Sequence, residues 1–171
     1  MDYCQYWYIK KNTPEKEYSS AIDLIKKFII HHKDVFKQGR DENDAQISFK
    51  DSICITAKEG EFVGDLYLPL SIEQYKTEIV TKANESFYFY FVRTDMMPHD
   101  TYIVAILTIL KVKLRNYIFI RSDGQLKTLS KGIVMGLNFL NFNNVNFDFH
   151  VNDERPRMET IYECIFQSGN I

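Results

Sequence analysis

Cysteine is scarce in this chain of 171 residues, and its three copies form no recognisable motif. Cys4, Cys54 and Cys164 are odd in number and far apart, which argues against a disulfide framework and against the CxxC spacing of a zinc site. Free thiols buried as small apolar side chains are the expected state. The sequence therefore predicts no metal centre and a reducing compartment.

Glycine is sparse as well, with seven residues in the whole chain. None belongs to a Gly-rich phosphate loop, and the GxSxG motif of serine hydrolases is absent. No cysteine lies in a recognisable catalytic context either. These absences exclude the enzyme classes that short motifs reveal, and no cofactor is predicted.

Long hydrophobic runs and an excess of charge are also missing. The most apolar run, Tyr102 to Leu110, is far shorter than the ~20 residues that a membrane helix needs. Residues 1–12 lack the basic and then apolar segments of a signal peptide. Lys and Arg number 21 against 23 Asp and Glu, so the net charge of −2 gives no electrostatic case for nucleic acid or a membrane. We expect a cytoplasmic protein, and the oligomeric state is not specified.

Aromatic residues are abundant, with 13 Phe and 11 Tyr beside a single Trp. Such side chains fit strands well and favour a substantial sheet. No repeat or linker divides the chain, so residues 1–171 are predicted to form a single α+β domain. Three main helices are predicted by apolar periodicity: from Thr13-Pro14 to near Gly39, from about Pro98, and from about Gln125.

About seven or eight strands are expected in a mixed sheet. The aromatic and alternating segments that predict them are residues 3–10, two or three strands between 47 and 68, and residues 86–92, 117–120, 145–151 and 160–166. Residues 71–84 are ambiguous and are compatible with a short helix. The aromatic side chains of residues 86–92 are predicted to be buried, and the interleaved aromatics and cations of sheet-face RNA-binding modules are not visible.

A strand–helix–strand unit spans residues 86–122 and is predicted to hold one parallel strand pair. Polar side chains then gather where both strands end, at one edge of the sheet, which is where open α/β folds place their ligands. The first strand is followed by Arg93, Thr94 and Asp95, and the helix starts near His99 and Asp100. The second strand leads into Arg121, Ser122, Asp123 and Gly124.

This edge cluster has a functional interpretation. Arg93 and Arg121 offer bidentate donors for a phosphate or carboxylate, with Thr94, Asp100, Ser122 and Gly124 as further ligand-binding candidates. Asp95, His99 and Asp123 are the candidate catalytic residues, because two carboxylates and an imidazole are able to activate water with a divalent cation.

The same residues also have a structural interpretation, which carries more weight. Asp95, Asp100 and Asp123 are common helix-capping residues, and Gly124 suits a turn with a positive φ. Arg93 and Arg121 are then expected to pair with the aspartates. A ligand site and a catalytic site remain as alternatives.

Three short motifs carry a resemblance to known proteins. They are Arg93-Thr94 at a strand end, Pro98-His99-Asp100 at a helix start, and Ser122-Asp123-Gly124 after the next strand. Over residues 86–140 this pattern resembles a group of small uncharacterised bacterial proteins of unknown function. The group favours Lys before the Thr and Tyr between the Pro and the Asp. The resemblance implies no activity.

Two functions follow as hypotheses. The first is an interaction protein, for example an inhibitor or immunity-type protein that binds a partner protein, since no complete catalytic set is visible and residues 41–44 form an acidic loop. The alternative is a protein that binds a small anionic ligand, such as a nucleotide or phosphoester, or a metal-assisted hydrolase, using the edge cluster.

Overall fold

The computed structural model describes residues 3–39, 46–59, 64–143 and 157–168. Within these ranges there are four α-helices: α1 (Glu15–His31), α2 (Asp100–Leu114), α3 (Leu126–Phe139) and α4 (Met158–Gln167). The strands are β1 (Cys4–Lys10), β2 (Phe36–Gln38), β3 (Ser52–Ala57), β4 (Leu66–Pro69), β5 (Glu78–Val80), β6 (Ser86–Arg93) and β7 (Ile118–Ser122).

The strands form two separate antiparallel sheets, so the predicted mixed sheet of seven or eight strands is wrong. One sheet has the order β5-β6-β1-β7 and the other has the order β2-β3-β4. β6 and β7 do not pair with each other as a parallel unit, because β1 lies between them and is antiparallel to both. A helical crossover fixes the relative direction of two strands but not their adjacency, and the N-terminal strand fills the gap.

The large sheet has the connectivity of a split β-α-β arrangement. β1, α1, β5, β6, α2 and β7 follow one another in the chain, and β2 to β4 are inserted between α1 and β5. In this order β6 and β7 run in the same direction on either side of β1, as in ferredoxin-like sheets. The ends of β6 and β7 therefore still meet at one edge.

The helices cover one face of the large sheet. Trp7 and Ile9 of β1 and Ile118 and Ile120 of β7 point into this layer and are buried. The central helix, α2, is buried over most of its circumference, as its nearly continuous apolar sequence predicts. It lies between α1 and α3 and contacts the sheet.

Helix α3 packs against α2 through two glycines that lie four residues apart, Gly132 and Gly136. A Cβ at Gly132 would lie 2.6 Å from the Thr101 carbonyl oxygen, and one at Gly136 would lie 2.7 Å from the Ala105 carbonyl oxygen. Any side chain at these positions would therefore push the two helices apart.

Helix α4 replaces the strand predicted at residues 160–166. Met158, Ile161, Tyr162 and Ile165 are the buried residues, and their spacing of three and four is helical rather than alternating. The strand predicted at 145–151 lies outside the described residues.

Among the described helices, none combines the length and apolar character that a membrane crossing needs.

Helix α4 also protects the outer edge of β7. The Ile120 N–H donates to Glu159 at 2.7 Å, and the Lys111 ammonium of α2 donates to the Ile118 carbonyl oxygen at 2.8 Å. Lys111 and Glu159 pair with each other at 2.6 Å. The ion pair thus takes the place of a neighbouring strand, which an exposed edge would otherwise recruit.

Two further predictions needed correction. Helix α1 ends at His31 and not near Gly39, because residues 36–38 form β2 and pair with β3. The ambiguous segment 71–84 contains a single 3₁₀ turn at Ile72–Gln74 and the edge strand β5.

Candidate functional site

The two candidate carboxylates Asp95 and Asp123 lie on opposite sides of the start of β1. The Tyr3 N–H donates to Asp95 at 3.3 Å, and the Cys4 N–H donates to Asp123 at 3.0 Å. The Tyr6 hydroxyl also donates to Asp123 at 3.0 Å. Consecutive N–H groups of a strand point to opposite sides, so the carboxylates fasten β1 between the ends of β6 and β7.

Arg93 lies at the same end of the sheet and forms an ion pair there. Its Nε donates to Asp95 at 2.6 Å, which confirms the expected ion pair. Burial alone would raise the pKa of Asp95, but the Tyr3 N–H and the Arg93 guanidinium outweigh it and hold the pKa below its ordinary value. Asp95 is therefore a structural anion, ionised at neutral pH.

Asp100 is buried at the first turn of α2 and accepts three hydrogen bonds. The donors are the Thr94 hydroxyl at 2.6 Å, the Gln5 side-chain amide at 2.8 Å and the Tyr3 hydroxyl at 3.1 Å. Burial raises the pKa of Tyr3, and the Asp100 carboxylate adds to the effect, so the hydroxyl stays a donor. A carboxylate held in this way joins α2 to β1 and β6.

His99 precedes this network and is 3% exposed. Neither ring nitrogen has a hydrogen-bond partner within the described part of the chain. Burial lowers the pKa of His99, and the neighbouring Asp100 carboxylate only partly opposes this effect. The imidazole is therefore neutral at pH 7 and shielded from solvent.

The predicted caps are not used. In the described part of the chain no side chain caps α2 or α3, and Asp123 bonds to β1 instead of to the helix that follows it. The Ser122 hydroxyl accepts the Gly124 N–H at 2.9 Å. Gly124 does not have the positive φ that the turn suggested, but a Cβ there would collide with the Tyr3 hydroxyl and force it to shift.

The edge cluster is thus brought together, but its polar groups are largely occupied. Asp100 and Asp123 bond to β1, Asp95 bonds to Tyr3 just before it, and His99 lies in the interior. Across the described ranges, no three His, Cys, Asp or Glu side chains come together in a way that could hold a metal ion. Arg121 differs from these residues, because its side chain points to the face of the sheet that the helices do not cover.

That opposite face carries six aromatic rings, which we call the aromatic face: Tyr6, Tyr8, Phe87, Phe89, Phe91 and Phe119. The register brings Tyr6 opposite Phe91, and Tyr8 opposite both Phe89 and Phe119. Phe91 is 54% exposed. The prediction that the aromatics of β6 are all buried is therefore wrong, because alternate residues of a strand point to opposite faces and only one face meets the helices.

The rings of the two central strands are in mutual contact. Ring centroids are 4.9 Å apart for Tyr8 and Phe89, 6.1 Å for Phe89 and Phe91, and 6.2 Å for Tyr6 and Phe91. Tyr6 and Phe89 are stacked with an interplanar angle of 12°. These contacts hold the side chains as one continuous platform.

A cleft of about 560 Å³ opens beside this platform, between β1, β7 and the start of α4. Tyr6, Tyr8 and Phe119 form its apolar wall, and Arg121 and Arg157 line it as well. Within the described residues, neither guanidinium has an ion-pair partner. The cleft therefore combines ring surfaces with two uncommitted cations.

Two acidic residues also line the cleft. Asp123 is bound to β1, and Glu159 is bound to Lys111 and to the β7 backbone. Lys111 neutralises Glu159, and hydrogen bonds from Cys4 and Tyr6 fix the Asp123 carboxylate in place. The aromatic wall and the two arginines are left to contact a ligand.

The sequence contained a signal for this surface. Phe87, Phe89 and Phe91 alternate on β6, and Tyr6 and Tyr8 alternate on β1. Alternation alone cannot say which face a helix covers, and the intervening Tyr88 and Tyr90 are aromatic too. Knowing that β1 pairs with β6 would have placed all five rings together.

Comparison with known proteins provides no relative. No family model matches the chain, and no match was found among curated proteins or among solved structures.

Proposed function

We propose that this protein acts by binding a macromolecular partner on its aromatic face and does not itself catalyse a reaction. The observation that supports the proposal is the aromatic face on the open side of the large sheet, whose rings, apart from the buried Phe87, are partly or largely exposed. Phe91 and Phe119 are 54% and 39% exposed. Contiguous apolar patches that stay exposed to water mark interaction sites, because apolar side chains stabilise a fold only when they are buried.

The arrangement of the edge cluster favours binding over catalysis. The candidate catalytic carboxylates Asp95 and Asp123 accept the backbone N–H groups of Tyr3, which precedes β1, and of Cys4, which begins it; His99 is enclosed. A general acid or base has to come within hydrogen-bond distance of its substrate. The two carboxylates instead hold the N-terminal strand in place, and the His99 ring is buried away from any substrate.

The alternative function, binding of a small anionic ligand, rests on the cleft beside Arg121 and Arg157. Its arginine pair suits a phosphate or carboxylate. The hydrolase form of this alternative has less support, because Asp123 is the only candidate catalytic residue that lines the cleft. An inhibitor or immunity-type role and a cytoplasmic location stay predictions.

The proposal is tested by co-purification from cells that contain the natural partners. The face variant is Phe91→Thr, and the matched control is Ile30→Gln on α1, where the native side chain is 53% exposed. Both changes remove a half-exposed apolar side chain, so neither should unfold the protein. The proposal predicts a partner that is retained by wild type and Ile30→Gln and is lost with Phe91→Thr. Equal retention by all three proteins would contradict it.

A further inference from the structure

The outer surface of the large sheet has the form of a stacking platform. Tyr6, Tyr8, Phe89 and Phe91 occupy the two central strands, and their neighbouring centroids are 4.9–6.4 Å apart. Flat rings presented side by side offer π-faces to other flat rings. Nucleic-acid bases are such ligands, and any base is able to stack in this way because each has a π-face.

Cations flank the platform on the β7 side. Arg121 lies opposite Tyr6 in the register, and Arg157 lines the same cleft. The Lys10 ammonium is 5.8 Å from the centroid of the Phe119 ring. Guanidinium groups bind phosphate in bidentate fashion and also stack on bases, so this edge suits a phosphate backbone that runs beside stacked bases.

The sheet itself matches a known mode of recognition. Four antiparallel strands, with helices on one face and aromatic side chains on the two central strands of the other, are the arrangement by which RRM-type domains stack two or three RNA bases. A partner protein would also use aromatic rings, but it would not need two arginines beside them that have no ion-pair partner among the described residues. A duplex would not fit, because its bases are already stacked on one another.

We propose that the aromatic face binds single-stranded nucleic acid. About two or three unpaired bases stack on Tyr6, Tyr8, Phe89 and Phe91, and the adjoining phosphates contact Arg121 and Arg157. This inference rests on the proposed function and names the partner class. The net charge of −2 is compatible with it, because stacking supplies much of the affinity and only the two arginines contact phosphate.

The test is fluorescence anisotropy of the full chain with labelled 12-nucleotide probes of mixed sequence: single-stranded RNA, single-stranded DNA and the corresponding DNA duplex. We expect saturable binding to a single strand and binding to the duplex that is at least tenfold weaker. The RNA and DNA probes show which sugar is preferred. Saturable binding to neither single strand, or equal binding to the duplex, would overturn the inference.

Variants separate stacking from charge. Phe91→Thr should weaken single-strand binding about tenfold, because one base–ring stack is lost. Arg121→Gln together with Arg157→Gln should reduce the slope of log affinity against log salt by about 1.4, since each phosphate contact contributes about 0.7. Ile30→Gln should change neither quantity. An unchanged affinity in Phe91→Thr, or an unchanged salt slope in the arginine variant, would count against the proposal.

The same variants distinguish failure of this inference from failure of the proposed function. If no probe binds but Phe91→Thr still loses a partner protein from cells, the occupant is a protein; the nucleic-acid inference then fails and the proposed function stands. If no probe binds and no partner depends on Phe91, both fail.

Discussion

Removal of one carboxylate from α4 should destabilise the whole domain. Glu159 accepts the Ile120 N–H at 2.7 Å and the Lys111 ammonium at 2.6 Å. The side chains of Lys111 and Glu159 are 7% and 25% exposed. Glu159→Ala therefore leaves an ammonium with a single carbonyl partner in the interior and leaves the edge N–H of β7 without an acceptor.

The size of the effect follows from these two losses. An unpaired buried charge costs about 3–5 kcal/mol and an unmet buried N–H costs about 1–3 kcal/mol. Water enters beside the partly exposed Glu159 and reduces both costs. We expect a loss of about 3 kcal/mol in the free energy of unfolding. With a urea dependence of about 2 kcal/mol per molar, the midpoint should fall by about 1.5 M.

Urea unfolding followed by circular dichroism measures the change. The control is Glu163→Ala, which removes an exposed carboxylate from the same helix and should change the free energy of unfolding by less than about 0.5 kcal/mol. The double variant Lys111→Met with Glu159→Gln removes both charges and keeps an acceptor for Ile120, so it should recover most of the loss. A Glu159→Ala protein as stable as wild type, or a double variant less stable than Glu159→Ala, would refute the edge-protection account.

Three other changes probe the packing and the edge cluster. Gly132→Ala should lower the free energy of unfolding by about 1–3 kcal/mol, because its Cβ would lie 2.6 Å from an α2 carbonyl oxygen, whereas the exposed Lys131→Ala should not. Asp123→Ala should cost about 1–2 kcal/mol through lost bonds to β1, and Arg121→Ala less than about 0.5 kcal/mol; both are read by urea unfolding, and equal costs would contradict the assignment. Burial lowers the pKa of His99 below 6.5, so the unfolded chain binds the proton more readily and stability should fall as pH drops below that value; His99→Gln should flatten this dependence, and an unchanged slope would refute it.

The sequence predicted the elements of the fold better than their arrangement. The three helices that apolar periodicity predicted, α1, α2 and α3, are confirmed. The pairing of β1 between β6 and β7 was not predictable, because strand order depends on contacts between residues that lie 77 or more positions apart in the chain. Helix α4 was missed because a short apolar run such as residues 160–166 is compatible with both helical and strand periodicity.

For the candidate site too, the sequence predicted which residues are involved better than it predicted how they are arranged. The sequence located the polar residues at the ends of β6 and β7, and the ion pair of Arg93 with Asp95 is confirmed. Their use as supports for β1 depends on a strand that starts at Cys4, far away in the chain. The aromatic face was hidden for a related reason, since a strand with rings on both sides does not indicate which side the helices cover.

The proposed function is tested most directly by photo-crosslinking inside cells. A benzophenone amino acid is placed at position 91 on the aromatic face or at position 30 on α1, where the native side chains are 54% and 53% exposed. The proposed function predicts a discrete crosslinked macromolecule from position 91 alone, and digestion with nuclease or protease then identifies its class. The same crosslinks from both positions, or none from position 91, would contradict the claim that the aromatic face is the binding surface.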